Sequence, residues 1–306
     1  MNARSGPTAV QRPAGRAPAP RTAGVVRVRE PETATRGIAA PWERQTLGPT
    51  TRKLISPDGA ASARVSSALL GGKDHWTADR AAAGRLCDAA PDWAQNGAAA
   101  RLAVLAMAAA AAAHGIDQFT DLGCGLTTGP AGTALAPLHT AVLTACPAAN
   151  VVYVDRDPMA MAHVRALLRP NAPTTVRHVH ADLTAPAPLL AALRDEAGPR
   201  RKRPVAAVLS DVLHELTDDQ AHRLLEALRA TLPAGSVLLL THRAPGDRGT
   251  GATVADAHAQ SALAWHPRDA GQVAALAAGW QPLPWAPTGQ IAGFTTLTVA
   301  PGRWAA

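Results

Sequence analysis

Gln118-Phe119-Thr120-Asp121-Leu122-Gly123-Cys124-Gly125 is the stretch that decides the fold of this 306-residue chain. It reads as a short strand that ends in an acid and then turns on two glycines. A second strand ends the same way, Val151-Val152-Tyr153-Val154-Asp155, and a third follows, Val176-Arg177-His178-Val179-His180-Ala181-Asp182-Leu183. Three successive strands tipped with Asp put three carboxylates along one edge of a parallel sheet. That edge is where open α/β sheets bind ligands.

Working outward, strands over 116–122, 151–155, 175–181, 204–210 and 236–241 alternate with helices over 133–146, 158–168, 187–196 and 218–231. This alternation predicts a parallel sheet covered by helices. The strands are continuous β-branched runs, as burial on both faces requires. After 241 the pattern changes. The Gly/Ala/His-rich segment 243–265 reads as a mobile stretch over the pocket, 266–278 as a helix, and 280–283 with 291–299 as two strands joined by a Pro/Gly loop. Upstream, 60–70, 77–89 and 96–113 read as helices, the first started by Ser56-Pro57 and the last stopped by His114-Gly115. They form an amino-terminal helical cap over 56–115.

Residues 1–55 are rich in Pro, Ala, Arg, Thr and Gly and read as a disordered tail. They carry ten basic and three acidic residues, so the whole formal charge of +7 sits there and the remainder is neutral. A solvated tail is the plainer account than a nucleic-acid surface. Three cysteines, Cys87, Cys124 and Cys146, are too few and too scattered for a disulfide scaffold or a zinc site. No secretory signal is expected, because residues 1–30 lack an apolar central stretch. The apolar run 102–113 is too short to span a bilayer. A cytoplasmic protein without a membrane segment is expected.

The chemistry follows from the strand ends. Gly123 and Gly125 allow a ligand to approach the backbone closely. The spacing after Gly125 misses the dinucleotide pattern G-x-G-x-x-G by one residue, which speaks against a nicotinamide oxidoreductase. An acid directly before the glycines suits a cationic ligand better than a pyrophosphate. Asp155 offers two acceptor oxygens to the hydroxyls of a ribose. Asp182 can accept from an adenine amino group, with the Leu183 amide beside the ring. S-adenosylmethionine (SAM) combines a ribose, an adenine, an amino group and a sulfonium. Strand 204–210 ends in Ser210-Asp211, which would face the methionine part or the acceptor, and His214 is placed to act as a base. His178 and His180 share one strand face, but no third ligand converges on them, so no metal is expected.

The chain also resembles a family of bacterial SAM-dependent methyltransferases, once known only as a domain of unknown function and abundant in actinobacteria. The likeness runs over about 57–300. It is carried by Leu70-Gly71-Gly72-Lys73-Asp74 with Ala78-Asp79-Arg80, by the 118–128 glycine turn, by 152–158, by Ala181-Asp182-Leu183, by Val212-Leu213-His214, and by Leu232-Pro233-Ala234-Gly235-Ser236. It departs at Ser66-Ser67-Ala68, where members usually carry Tyr-Asp, and at His75, where they carry Asn. The resemblance implies a Rossmann-like SAM-methyltransferase fold: a mostly parallel seven-stranded sheet with a terminal antiparallel hairpin, the SAM-binding domain spanning 116–306. It further implies that Gly71, Gly72, Lys73 and Asp74 belong to the cofactor end of the pocket.

The expectation is therefore a SAM-dependent methyltransferase acting on an oxygen or nitrogen of a small molecule. A SAM-binding regulator without catalysis and a nucleic-acid methyltransferase that docks through the tail are the alternatives.

Overall fold

The computed structural model describes residues 55–168, 175–197, 202–244, 246–283, 289–291 and 294–300. The expected basic tail, most of the loop 284–290 and Trp285 lie outside the described residues. Helices α1 Ser62–Leu69, α2 Thr77–Ala89 and α3 Trp93–Ala113 lead into β1 Gln118–Leu122. Then come α4 Leu138–Val142, β2 Asn150–Asp155, α5 Pro158–Leu167, β3 Thr175–His180, α6 Pro186–Ala197 and β4 Ala206–Ser210. The chain continues through α7 Asp218–Thr231, β5 Val237–Arg243, α8 Arg248–Gln260, α9 Ala270–Leu276, β6 Gln281–Pro282, β7 Gly289–Ile291 and β8 Phe294–Ala300.

The first five strands are parallel and lie in the order β3-β2-β1-β4-β5. The strand order reverses between β1 and β4, so a crevice opens at their carboxyl ends. β8 extends the sheet antiparallel to β5, and both β6 and β7 pair with β8. Among the described residues the sheet thus has eight strands where the sequence predicts seven.

Two apolar layers sandwich the sheet. Val104, Ala108 and Ala111 of α3, with Met161 and Val164 of α5, meet Phe119, Val151, Tyr153, Val208 and Leu239 on one face. Leu189 of α6, Leu224 and Leu228 of α7 and Val273 of α9 meet Leu122, Val154, Leu209 and Leu240 on the other. A third cluster joins Val65 of α1, Ala82 and Leu86 of α2, Trp93, and Val254 and Ala257 of α8. Local chemistry sets several starts. Asp157 accepts from the Met159 amide at 2.8 Å with Pro158 in the first turn of α5, and Thr217 forms a reciprocal cap with Gln220 before α7.

Several expectations are corrected. Segment 243–265 holds the ordered helix α8, because Asp247 caps it through the Thr250 amide and its apolar face packs on α2. The helix expected over 133–146 shrinks to α4, since the turn closed by the Gly129 amide on the Leu135 carbonyl and then Pro137 occupy the preceding stretch. Ser56 closes a turn on the Asp58 amide instead of capping a helix, so α1 starts at Ser62. β3 is an edge strand and mostly not buried. α3, which the sequence counts in the amino-terminal cap over 56–115, packs on the sheet as a core helix. Among the described residues it is also the one helix long and apolar enough to cross a membrane, although half of that stretch is buried inside the protein.

Candidate active site

Three adjoining clefts line the carboxyl ends of the parallel strands. All three share Ser62 of α1 and Glu215, so they form one groove between α1 and the sheet edge.

The glycine turn forms the floor. The amides of Gly123 and Cys124 donate to the Val154 carbonyl at 2.8 and 3.0 Å, which ties the turn to β2. Gly123 has φ +72°, and a Cβ there would stand 2.7 Å from Val212 Cγ2. Only glycine fits both constraints, and its missing side chain leaves the backbone open to the groove.

Asp155 ends β2 inside the second cavity. Its two carboxylate oxygens accept from the Gly125 and Asp157 amides, each at 2.8 Å. Each oxygen keeps a free lone pair, so the group can still accept from two hydroxyls. Burial raises its pKa to about 7, while the two amides pull the other way. Asp182 and Leu183 line the same cavity. Asp182 also accepts from the Thr184 amide at 2.8 Å.

Asp121 does not join them. It is fully buried under the turn and pairs with Arg101 of α3, Nη2 to Oδ2 at 3.0 Å. Arg101 itself lines the first cavity. Burial would lower the Arg101 pKa, but the Asp121 carboxylate outweighs it and the net direction is upward. Its Nε is buried without a hydrogen-bond partner. The groove therefore meets a fixed cation where the sequence predicts an anion.

The third cavity begins at the end of β4. Ser210 lines the first cavity, and Asp211 lines the first and third. Asp211 has φ +51°, a left-handed conformation that a non-glycine residue adopts at a cost. Its carboxylate accepts from Arg243 Nε at 3.0 Å and from the Arg243 amide at 3.1 Å. Arg243 also donates to the Trp93 carbonyl at 2.7 Å and lies 4.2 Å over the Trp93 ring. Burial alone would raise the Asp211 pKa, but Arg243 and His214 drive it well below the usual carboxylate range. His214 Nδ1 stands 3.5 Å from Asp211 Oδ1, and its ring lines the third cavity.

Leu70 lines the first cavity, but the rest of the Leu70–Asp74 segment falls elsewhere. Gly71, Gly72, Lys73 and Asp74 are absent from the lining of all three cavities. Asp74 faces His163 of α5 at 3.2 Å. The Gly72 amide donates to the Ser67 carbonyl at 2.7 Å, and a Cβ at Gly72 would lie 2.3 Å from Ser67 Oγ. The glycine thus permits a tight turn after α1, which in turn places Leu69 and Leu70 at the first cavity.

Sequence reasoning missed Arg101, Arg243, Glu215 and His258. Glu215 reads as a helix-start acid, yet it borders all three cavities and pairs with Arg156 at 3.2 Å. A signal existed for the two arginines. Each is a lone charge beside a long apolar run, and such a charge is rarely buried without a partner. Among the described residues no cluster of His, Cys, Asp and Glu suits a metal ion.

A family model described as S-adenosyl methyltransferase matches residues 49–284. The chain belongs to that family. A DUF574 family protein from Streptomyces avermitilis shares 25% identity, with a TM-score of 0.69 over 80% of this chain and 98% of that one. A protein from Thermobifida fusca, provisionally named a methyltransferase, shares 28% identity, with a TM-score of 0.67 over 81% and 96%. No curated protein matches the chain. This methyltransferase thus takes SAM as its cofactor. The residues present fit that molecule: free acceptor lone pairs on Asp155, an open backbone at Gly123 and the Arg101 guanidinium in the wall of the first cavity.

Proposed function

We infer that the protein moves the SAM methyl group to an oxygen or nitrogen of a small-molecule acceptor, in a cytoplasmic setting that suits its three free cysteines. The observation that carries this reading is the continuity of the groove, from the Asp155 cavity through Gly123 to the cavity of Asp211 and His214. In this reading the Asp155 carboxylate takes the two ribose hydroxyls. Asp182 and Leu183 border the adenine. Arg101, held by Asp121, pairs with the methionine carboxylate, which explains why a cation stands in that part of the groove. When bound, SAM supplies an electrophilic methyl group on a sulfonium.

The acceptor then lies in the third cavity. In this reading the Asp211 carboxylate, 3.5 Å from His214 Nδ1, favours the tautomer protonated at Nδ1 and leaves Nε2 with its lone pair free. His214 Nε2 takes the proton from the acceptor O–H or N–H as the methyl group transfers. The Arg243–Asp211–Trp93 set holds that dyad in place, and Trp93 with neighbouring aliphatic side chains keeps water from the reacting atoms. Alignment of the two reactants supplies much of the rate. The helices α1 and α2 act as the cap of the groove in this division of the chain, with the sheet domain beneath.

Methyl-labelled SAM and a panel of small phenols, carboxylic acids and amines test the reading. Labelled product from the wild type, lost in His214→Gln while SAM still binds, supports it. Tight SAM binding with no labelled product from any of the panel favours a regulator that only binds SAM.

A further inference from the structure

The third cavity contains a second histidine that the proton transfer leaves unused. His258 of α8 lines it and is 4% exposed. Its Nδ1 lies 2.8 Å from the Val254 carbonyl, one turn back on the same helix. A carbonyl oxygen only accepts, so Nδ1 carries the proton and Nε2 carries a lone pair. The ring stacks on Trp265 with centroids 4.4 Å apart and planes 18° from parallel, and it meets Trp93 edge-on at 5.8 Å. Tautomer and orientation are both fixed before any ligand arrives. Among the described residues nothing bonds to Nε2, and that atom is not among the sealed polar atoms.

Burial lowers the His258 pKa to about 4, so the ring stays neutral at physiological pH. It can accept a hydrogen bond from a ligand but not donate one through Nε2. His214 stands across from it, with ring centroids 6.4 Å apart and planes at 72°. Val65, Leu69, Leu86, Leu263 and the Trp93 ring form the apolar side of the wall, and Ser62, Ser66, Asp211, Glu215 and Arg243 its polar side. A cavity with one apolar side and two histidine rings 6.4 Å apart suits a molecule with an apolar body and two donor groups on one edge.

Given the methyltransferase reading, we propose that His258 selects the acceptor by taking a hydrogen bond from a second donor beside the one that is methylated, so the acceptor is a small flat arene with two neighbouring hydroxyl or amino groups. The catechol class meets that description. His214 receives the reacting hydroxyl and His258 its neighbour. A phenol with one donor leaves the lone pair of the buried His258 ring unpaired, which lowers its binding by roughly 5- to 100-fold relative to the two-donor molecule.

Titration calorimetry on the full chain tests this, first with S-adenosylhomocysteine and then, on that complex, with catechol or phenol. Catechol binds the wild-type complex at least about fivefold tighter than phenol, in line with one unmade hydrogen bond. His258→Phe keeps a ring against Trp265 and abolishes the preference. His258→Gln restores part of it, because its amide oxygen accepts near the position of Nε2. Equal affinities in the wild type, no catechol binding, or an unchanged preference in His258→Phe overturns the proposal. S-adenosylhomocysteine binding separates the levels and reports that each variant is folded. If it binds and catechol does not, only this inference falls. If S-adenosylhomocysteine itself fails to bind the wild type, the methyltransferase reading falls and takes this inference with it.

Discussion

Arg101 and Asp121 form a buried ion pair, Nη2 to Oδ2 at 3.0 Å, directly under the glycine turn. The acid at the end of β1 is therefore buried against a cation and does not border the groove. Removing one partner of such a pair leaves an uncompensated buried charge, at about 3–5 kcal/mol. Arg101→Met is expected to lose about that much stability in denaturant unfolding and to weaken SAM binding. The double variant Arg101→Met with Asp121→Leu should regain much of the stability, since apolar replacements of similar volume are tolerated. It should not regain the affinity. Recovery of both would remove Arg101 from the cofactor site.

Asp155 carries the pH prediction. Its pKa of about 7 lies above the ordinary 3.8, so in the free protein this group destabilises the fold progressively as pH rises from about 4 to about 7. The carboxylate is the form with two free acceptor oxygens. SAM affinity should therefore increase with pH through about 7. Asp155→Ala should cost about 1–3 kcal/mol of binding and flatten that dependence. Titration calorimetry across the range checks both, and an affinity that falls with pH would contradict the role.

The sheet and its helices were legible because their signals are local. Period, length and punctuation placed α2, α7 and the strand ends within a residue or two, and Asp155, Asp182 and Asp211 do border one groove. The part that could not be read is pairwise. Arg243 reaches Asp211 and Trp93, and no spacing rule links those three positions. α8 was read as mobile because its Gly and Ala content hides a narrow apolar stripe, Val254 and Ala257, which gains meaning only against α2. The Leu70–Asp74 segment looks chemical because of its residue types, while its glycine is needed for a tight turn against Ser67.

Gly123 is a steric requirement of the groove. Gly123→Ala meets both a left-handed backbone and Val212 at 2.7 Å. It should lower stability by about 1–3 kcal/mol and weaken SAM binding together. Adding Val212→Ala should relieve the clash but not the backbone strain, so thermal unfolding should recover in part. Full recovery would mean that φ at this position is not limiting.

Arg243 joins the sheet edge to α3. Arg243→Lys cannot reproduce the forked contact with Asp211, nor donate to Trp93 while stacked on it. Thermal stability should drop, and methyl transfer should fall more than SAM affinity because the Asp211–His214 dyad loses its support. An unchanged ratio of kcat to SAM affinity would show that the dyad does not depend on this arginine.

His214→Gln should reduce kcat by about 10²–10⁴-fold, the usual contribution of a positioned base, and leave SAM binding as it was. Equal loss of both would make His214 a structural residue.

The central claim is that one groove joins a ribose-binding Asp155 to a carboxylate-binding Arg101. Calorimetric titration of S-adenosylhomocysteine into the wild type, Asp155→Ala and Arg101→Met/Asp121→Leu proteins tests it most directly. The account predicts saturable one-site binding in the wild type and clear weakening in each variant. Wild-type affinity in both variants, or no binding to any of the three, would contradict it.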